Sequence, residues 1–319
     1  MEKIPVVAVV GPTASGKTAL AVELALRLNG EIISADSMQI YHHMDIATAK
    51  PTEAEKKGVP HHLMDFLEPT ESFSVARFCE LAKPLIADIS KSGKLPIVAG
   101  GTGLYIDSLL GNVTFAQTET DPALRAELQN ELDSVGIDAM FKKLRDFDPD
   151  SAERLAPGRN PKRILRCFEV YRLTGKTQTE LNALQTASDS PYHAVRLGLT
   201  AADRDYLYDR INRRVDLMME NGLLEEARAF YAANSGETAS AAIGYKELLP
   251  YLRGELPLNE CVENLKRVTR RYAKRQLTWF RADPKTHWFE IDRMSFEDIL
   301  GFALTIISKE CHYGEIRNP

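Results

Sequence analysis

The sequence predicts an α/β fold, a parallel sheet flanked by helices and interrupted by an all-helical insertion. Three observations predict it. Short apolar runs alternate with helical patterns through residues 1–111, the signature of parallel strands joined by crossover helices. From Asp121 to about Leu184 no β-rich run occurs, and apolar residues recur at helical spacing, as in Ile164, Leu165, Phe168 and Tyr171. Strand-like runs then return at 194–200 and 286–292, so the core is left and resumed. The expected organisation is residues 1–116 as the first part of the core, 117–190 as the helical insertion, and 191–319 as the second part of the core.

The first element is the apolar run Ile4 to Val10, which breaks at Gly11 and restarts as a helix from about Gly16. Between them Gly11, Pro12, Thr13, Ala14, Ser15, Gly16, Lys17 and Thr18 satisfy every fixed position of G-x-x-x-x-G-K-[ST]. Glycines let the backbone curl so that successive N–H groups face an anion at a helix N-terminus; Lys17 adds a charge, and the Thr18 hydroxyl is a candidate Mg²⁺ ligand. The strand before and the helix after make this a P-loop NTPase-like sheet holding a polyphosphate or a diphosphate. The loop alone does not say ATP.

Next come "EIISAD" and "LPIVAGG". In such a sheet ligands sit beyond the carboxyl ends of the strands, so Asp36 and Thr102 are expected to face the phosphate loop. Asp36 suits either a Mg²⁺-orienting carboxylate or a general base. Gln39 is either an amide for an adenine edge or a loop amide capping backbone. Arg210 and Arg214, four apart, share a helix face that either clamps a phosphate or is solvated. The doublets His42-His43 and His61-His62 have no carboxylate at ligand spacing, which argues against a metal.

The 319 residues are 44% apolar, enough for a real core, and Ile4 to Val10 is too short to span a membrane and lacks signal-peptide flanks. No membrane association, a cytoplasmic location and a monomer are expected. Cys79, Cys167, Cys261 and Cys311 form no CxxC pair and read as buried thiols. The formal charge of -5 argues against a uniformly basic nucleic-acid binder, but the cations are clustered. In residues 262–281, seven cations (Lys266, Arg267, Arg270, Arg271, Lys274, Arg275, Arg281) face one anion, Glu263, and interleave with Tyr272, Trp279 and Phe280, whose rings could stack bases or pack inward. A second cluster, Arg154, Arg159, Lys162, Arg163 and Arg166, lies in the insertion. Two basic patches on an acidic chain suit an extended polyanion gripped from two sides.

The strings "GPTASGKT", "ADSMQIY", "TAKP", "HHL", "AGGTGLY", "NPKRILRCFEVY", "AIGYKE" and "RRYAKRQLTWFR" occur in the order seen in the tRNA dimethylallyltransferases, the IPP transferase family, and the chain closely resembles that family over nearly its whole length. The resemblance implies transfer of a dimethylallyl group from dimethylallyl diphosphate to N6 of adenine 37, beside the anticodon of certain tRNAs, with Mg²⁺. It implies Asp36 as general base, Thr102 as its partner, the 11–18 loop as the diphosphate cradle, and Lys17 and Thr18 as diphosphate and metal contacts; Arg210, from its own spacing with Arg214, is the expected further stabiliser of the leaving group. It likens to tRNA-contacting segments Asp36, Ser37, Met38 and Gln39 with Thr102; Asn160, Pro161, Lys162, Arg163 and Ile164; Ala241, Ala242, Ile243, Gly244, Tyr245 and Lys246; and Lys274, Arg275, Gln276, Leu277, Thr278, Trp279, Phe280 and Arg281. The zinc finger appended in eukaryotic relatives has no counterpart spacing here, as in bacterial-type members. The rival readings are a P-loop kinase, a prenyltransferase of free adenine nucleotide, and an ATP-switched RNA-binding protein.

Overall fold

The computed structural model describes residues 3–113, 121–184, 189–233, 236–240 and 242–311. They divide into two compact units: the described residues up to Gly111 together with those from Asp189 onward, and those between, beginning at Asn112. The unit boundaries therefore fall at Gly111 and Asp189, a few residues from the 116 and 190 read from the sequence.

In the larger unit six strands form one sheet: β1 (Ile4–Val10), β2 (Gly30–Ser34), β3 (His61–His62), β4 (Leu95–Ala99), β5 (Tyr192–Thr200) and β6 (His287–Glu290). Their order is β3-β2-β4-β1-β5-β6 and every pair is parallel. β1 lies inside, in register with β4 (Val9↔Ala99) and with β5 (Val10↔Gly198). Val6 to Val10 are fully buried, as befits a central parallel strand covered on both faces, and this is why the run reads as unbroken rather than alternating hydrophobicity. From β1 the strand order runs outward through β2 to β3; after β4 it runs the other way through β5 and β6. Loops at the carboxyl ends diverge where that order reverses, leaving a crevice around β1 and β4.

The covering helices are α1 (Lys17–Leu28), α2 (Glu53–Lys56), α3 (Val75–Lys91) and α4 (Gly103–Leu110) in the first part of the chain. The insertion holds α5 (Pro122–Phe147), α6 (Pro149–Leu155), α7 (Pro161–Thr174) and α8 (Gln178–Leu184). The second part adds α9 (Arg204–Glu220), α10 (Leu223–Ala232), α11 (Glu237–Ser240), α12 (Tyr245–Leu252), α13 (Leu258–Phe280) and α14 (Phe296–Cys311). Leu20, Leu24 and Leu28 of α1 and Ile299, Ala303 and Ile307 of α14 pack on one face of the sheet with Val7, Ile97 and Leu197.

Within the insertion, three helices begin with the same device. Asp121-Pro122, Asp148-Pro149 and Asn160-Pro161 each set an acceptor at the N-cap before a proline whose missing N–H costs nothing at the first helical position. Asp121 Oδ1 accepts from the N–H of Ala123 and Leu124 (2.8 and 3.1 Å), Asp148 Oδ1 from Ser151 (3.1 Å) and Asn160 Oδ1 from Arg163 (3.3 Å). Gly136 breaks the helical geometry inside α5 at φ 81°, and Leu128, Met140, Phe141, Leu144, Ile164 and Phe168 close this unit's own core.

Cys79, Cys167, Cys261 and Cys311 are free thiols, the first three buried. Among the described residues no helix is long and apolar enough to cross a membrane, and no group of three or more His, Cys, Asp or Glu could hold a metal.

The ends of β1, β2 and β4 meet closely at Gly100. The Gly100 N–H bonds to Val9 O (3.2 Å), and a Cβ on Gly100 would stand 2.2 Å from Ala35 O. We therefore predict that Gly100→Ala costs about 2–4 kcal/mol, read as a fall in the calorimetric unfolding midpoint.

Candidate functional site

The loop from Gly11 to Gly16 leaves β1 and enters α1 through three left-handed or positive-φ residues, Gly11 (φ 141°), Ala14 (φ 62°) and Gly16 (φ 94°). A Cβ on Gly11 would lie 2.5 Å from Leu199 O, so glycine is required both by dihedral and by space. The curl is fixed from inside and outside. Ser15 Oγ and Lys17 Nζ donate to Pro12 O (2.8 and 2.6 Å), and Arg210 Nε donates to Ala14 O (2.8 Å). No side chain caps α1, so its first-turn N–H groups are left for an anion.

Arg210 thus belongs to the loop rather than to a merely solvated helix face, and Arg214, one turn further along α9, is half-buried beside it. Burial and the Arg214 guanidinium push the Lys17 ammonium down to about 7, while Asp36 pulls it the other way. Burial likewise lowers Arg214, and the Asp36 charge raises it. Cations that depress one another are stabilised by an added anion, which is what the uncapped helix start also favours.

Asp36 follows β2 by two residues. The Ala35 N–H bonds to Ala99 O (2.8 Å) and the Thr102 N–H to Ala35 O (3.1 Å), tying the ends of β2 and β4 together. Thr102 Oγ1 accepts the Ser37 N–H (3.1 Å). Asp36 Oδ1 accepts the N–H groups of Met38 and Gln39 (2.9 and 3.3 Å), which fixes the carboxylate and leaves Oδ2 for an incoming N–H. Burial, and after it the nearby Asp36 charge, raises the Tyr272 phenol of α13 well above the usual range. Asp36, Thr102, Lys17 and Arg210 are therefore gathered at one end of the sheet.

α13 is joined to this end by Gln276. Its Oε1 accepts the Thr13 N–H (2.9 Å) and its Nε2 donates to Gly101 O (3.0 Å), so one buried amide binds the phosphate loop and the loop after β4 to the same helix. A Cβ on Gly101 would meet that amide at 2.1 Å. Trp279 lies against Gly103, its Nε1 donating to Asp107 Oδ2 (2.6 Å), while Arg196 bridges Asp107 (2.6 Å) and Asp283 (3.2 Å). Arg281 reaches Thr200 Oγ1 (3.4 Å).

Other expected contact residues are placed differently. The Gln39 amide is turned inward: its Nε2 donates to Thr48 O and Ala49 O (3.2 Å each) and its Oε1 accepts from Ser34 (3.1 Å), so in this structure the backbone-capping reading holds. Gln276 and Phe280 are buried within their segment, as are Ala242 and Tyr245 in theirs and Ile164 in the insertion, so these side chains position their neighbours rather than present themselves. Lys274, Arg275, Thr278 and Trp279 are exposed on α13, Lys246 at the start of α12, and Asn160, Pro161, Lys162 and Arg163 on the insertion. Ser37, Met38, Leu277 and Ile243 are half-buried, and Ala241 lies outside the described residues. Part of the basic ribbon is engaged within the protein: Lys266 is ion-paired with Asp216 (2.8 Å) and Glu263 (3.1 Å), and Arg270, its charge retained, donates to the Asn212 amide oxygen (2.6 Å).

Sequence reasoning missed Glu226. Its carboxylate accepts three consecutive backbone N–H groups, Asp45, Ile46 and Ala47 (2.9, 2.7 and 2.9 Å), and the Tyr245 hydroxyl (2.9 Å), anchoring the loop that holds Gln39. No periodicity signals such a role; only the fold brings α10 to that loop.

Against known proteins, the IPP transferase family model matches residues 39–283 and the isopentenyl transferase model residues 4–65. The chain belongs to the IPP transferase family. It is 49% identical to the tRNA dimethylallyltransferase of Halalkalibacterium halodurans, over 92% of this chain and 94% of the relative, and 50% identical to that of Acetivibrio thermocellus with the same coverage. Among solved structures it resembles the tRNA isopentenylpyrophosphate transferase of Bacillus halodurans (TM-score 0.72, 45% identity, 97% of this chain and 99% of that one). It also resembles a eukaryotic dimethylallyltransferase captured acting on tRNA (TM-score 0.78, 29% identity, 98% and 81%). The six-stranded parallel sheet with flanking helices is the α/β fold of this family.

Replacing Gln276 by leucine would strand the Thr13 N–H and the Gly101 carbonyl. Each unsatisfied group costs about 1–3 kcal/mol, so Gln276→Leu is expected to lower the unfolding midpoint and to weaken diphosphate binding in calorimetric titrations.

Proposed function

We propose that this protein transfers the dimethylallyl group of dimethylallyl diphosphate to N6 of adenine 37, next to the anticodon of certain tRNAs, releasing diphosphate. The observation that carries the reading is the pairing of an anion cradle ringed by Lys17, Arg210 and Arg214 with one carboxylate, Asp36, whose Oδ1 is held by backbone and whose Oδ2 is not.

The exocyclic amine of adenine is a weak nucleophile because its lone pair is delocalised into the ring. As nitrogen attacks the allylic carbon, Asp36 Oδ2 takes the N–H proton. The electron pair of the breaking carbon–oxygen bond goes to the diphosphate, where loop N–H groups and the three cations face the growing charge. Thr102, holding the Ser37 N–H, keeps the Asp36 turn in place. A stacked anticodon-loop base cannot enter such a crevice, so the adenine is flipped out. The exposed cations of α13 and of the insertion take the tRNA backbone.

A divalent cation fits the donor set in one way only. With no cluster of three ligating side chains among the described residues and an exposed Thr18 hydroxyl at the start of α1, the loop suits Mg²⁺ arriving with the diphosphate and keeping most of its waters. When bound there, it offsets charge on the leaving group. Every group named lies on one chain, so a monomer suffices, and a tRNA acceptor carries with it a cytoplasmic location.

In single-turnover reactions followed by mass spectrometry of the tRNA nucleosides, Asp36→Ala is expected to slow transfer by about 10²–10⁴-fold while tRNA gel shifts are unchanged; undiminished transfer would remove Asp36 as base. The Lys17 ammonium, at about 7 in the free protein, rises when an anion binds beside it. The added affinity is thus complete below pH 7 and is lost as pH rises toward the bound value. Dimethylallyl diphosphate affinity should fall by up to about tenfold per pH unit above 7, and Lys17→Arg should flatten the profile.

A further inference from the structure

His61 is not used by the chemistry above, yet its ring is placed with unusual care. β3 pairs His61 with Ile32, so its side chain lies on the α1 face of the sheet, one strand away from Ser34. Nδ1 lies 2.8 Å from Val59 O. A carbonyl only accepts, so Nδ1 carries the proton, and Nε2 of the neutral ring is an acceptor. Burial lowers the pKa of this histidine, which favours that neutral form. Nε2 is itself buried and has no protein hydrogen-bond partner among the described residues.

Nε2 belongs to a residue lining a cavity of about 20 Å³ at the carboxyl end of β2. Ala21, Ile32 and Ala99 form its apolar wall; Thr18, Ser34 and Gln39 bring the polar groups. Two of these three have no proton to give. Ser34 Oγ donates to Gln39 Oε1, and both protons of the Gln39 amide go to the carbonyls of Thr48 and Ala49. Thr18 alone retains a donor, and it does not bond to His61 directly. A cavity of this size holds one water, and a water there has the polar partners it needs.

The direction of these bonds matters. A hydroxyl that gives a lone pair to a cation must send its proton elsewhere. We propose that His61 is the terminal acceptor of a one-water relay from the Thr18 hydroxyl, and so a positioning residue for the divalent cation at the phosphate loop. The chain of donors runs from Thr18 Oγ1 to water, from water to His61 Nε2, and from His61 Nδ1 to Val59 O. It aims the Thr18 lone pair at the cation and leaves neither nitrogen of the His61 ring unmatched. The inference rests on the diphosphate and Mg²⁺ reading of the loop.

The test uses the full chain with inorganic diphosphate and Mn²⁺, whose binding is read by electron paramagnetic resonance. His61→Phe keeps a flat ring but removes the acceptor; Mn²⁺ affinity in the presence of diphosphate should fall by about 10–100-fold, with metal-free diphosphate affinity unchanged. His61→Gln, which restores an oxygen acceptor, should recover part of the loss. Equal Mn²⁺ affinity in wild type and His61→Phe would overturn the relay alone, whereas a wild type that binds no Mn²⁺ with diphosphate would overturn the reading of the loop as well. If His61→Phe does not fold, the wild-type crystal structure decides: a water within hydrogen-bond distance of both Thr18 Oγ1 and His61 Nε2 supports the relay, and its absence there sinks it.

Discussion

The arrangement depends on one buried amide. Gln276 accepts from Thr13 in the phosphate loop and donates to Gly101 in the loop after β4, so two loops from different strands share a single rigid reference on α13. An amide is suited to this because it presents one acceptor and one donor in a fixed plane. A charged side chain of similar size would satisfy one loop and repel or strand the other. The close approaches at Gly101 and Gly103 come from the same helix, since the Gln276 amide and the Trp279 indole occupy the space where a Cβ would stand.

That constraint turns helix α13 into a two-sided element. Ala273, Gln276 and Phe280 face the protein, while Lys274, Arg275 and Trp279 face outward. The side that fixes the diphosphate cradle and the side that carries exposed cations are therefore parts of one rigid body. In the proposed reaction, a tRNA backbone on the outer side would be referenced to a diphosphate on the inner side without any flexible joint between them. On the other side of the loop, α9 brings Arg210 and Arg214, and the repulsion among these cations and Lys17 is partly offset by the Asp36 charge.

Much of this was legible in the sequence, for identifiable reasons. The phosphate loop is read from eight consecutive residues whose geometry is local, and the strand before it is fully buried and so uninterrupted in hydrophobicity. Asp36 and Thr102 lie near each other, as expected, because parallel strands deliver their carboxyl ends to a common edge. β3 was not legible: His61 and His62 form a two-residue strand with no apolar run, and their role as sheet edge and as partner to Glu31 (His62 Nε2 to Glu31 Oε2, 2.6 Å) exists only once β2 is beside them. Gln276 and Gln39 show the same boundary. Both lie in polar, basic or loop-like strings that read as ligand contacts, yet their amides are spent on backbone from residues far away or across a turn. Long-range polar pairing leaves no period in a sequence, and Glu226 at the Asp45 to Ala47 turn is another instance.

The central claim is that the cradle holds a leaving group, so that phosphorus departs from the reaction as intact diphosphate while the carbon chain moves to nitrogen. Phosphorus NMR of the full chain incubated with tRNA, Mg²⁺ and dimethylallyl diphosphate measures this directly. The account predicts that the donor's two coupled resonances are replaced by the single resonance of inorganic diphosphate, in step with modified adenine in the tRNA. Appearance of orthophosphate or of a phosphorylated acceptor, with the adenine unchanged, would contradict it.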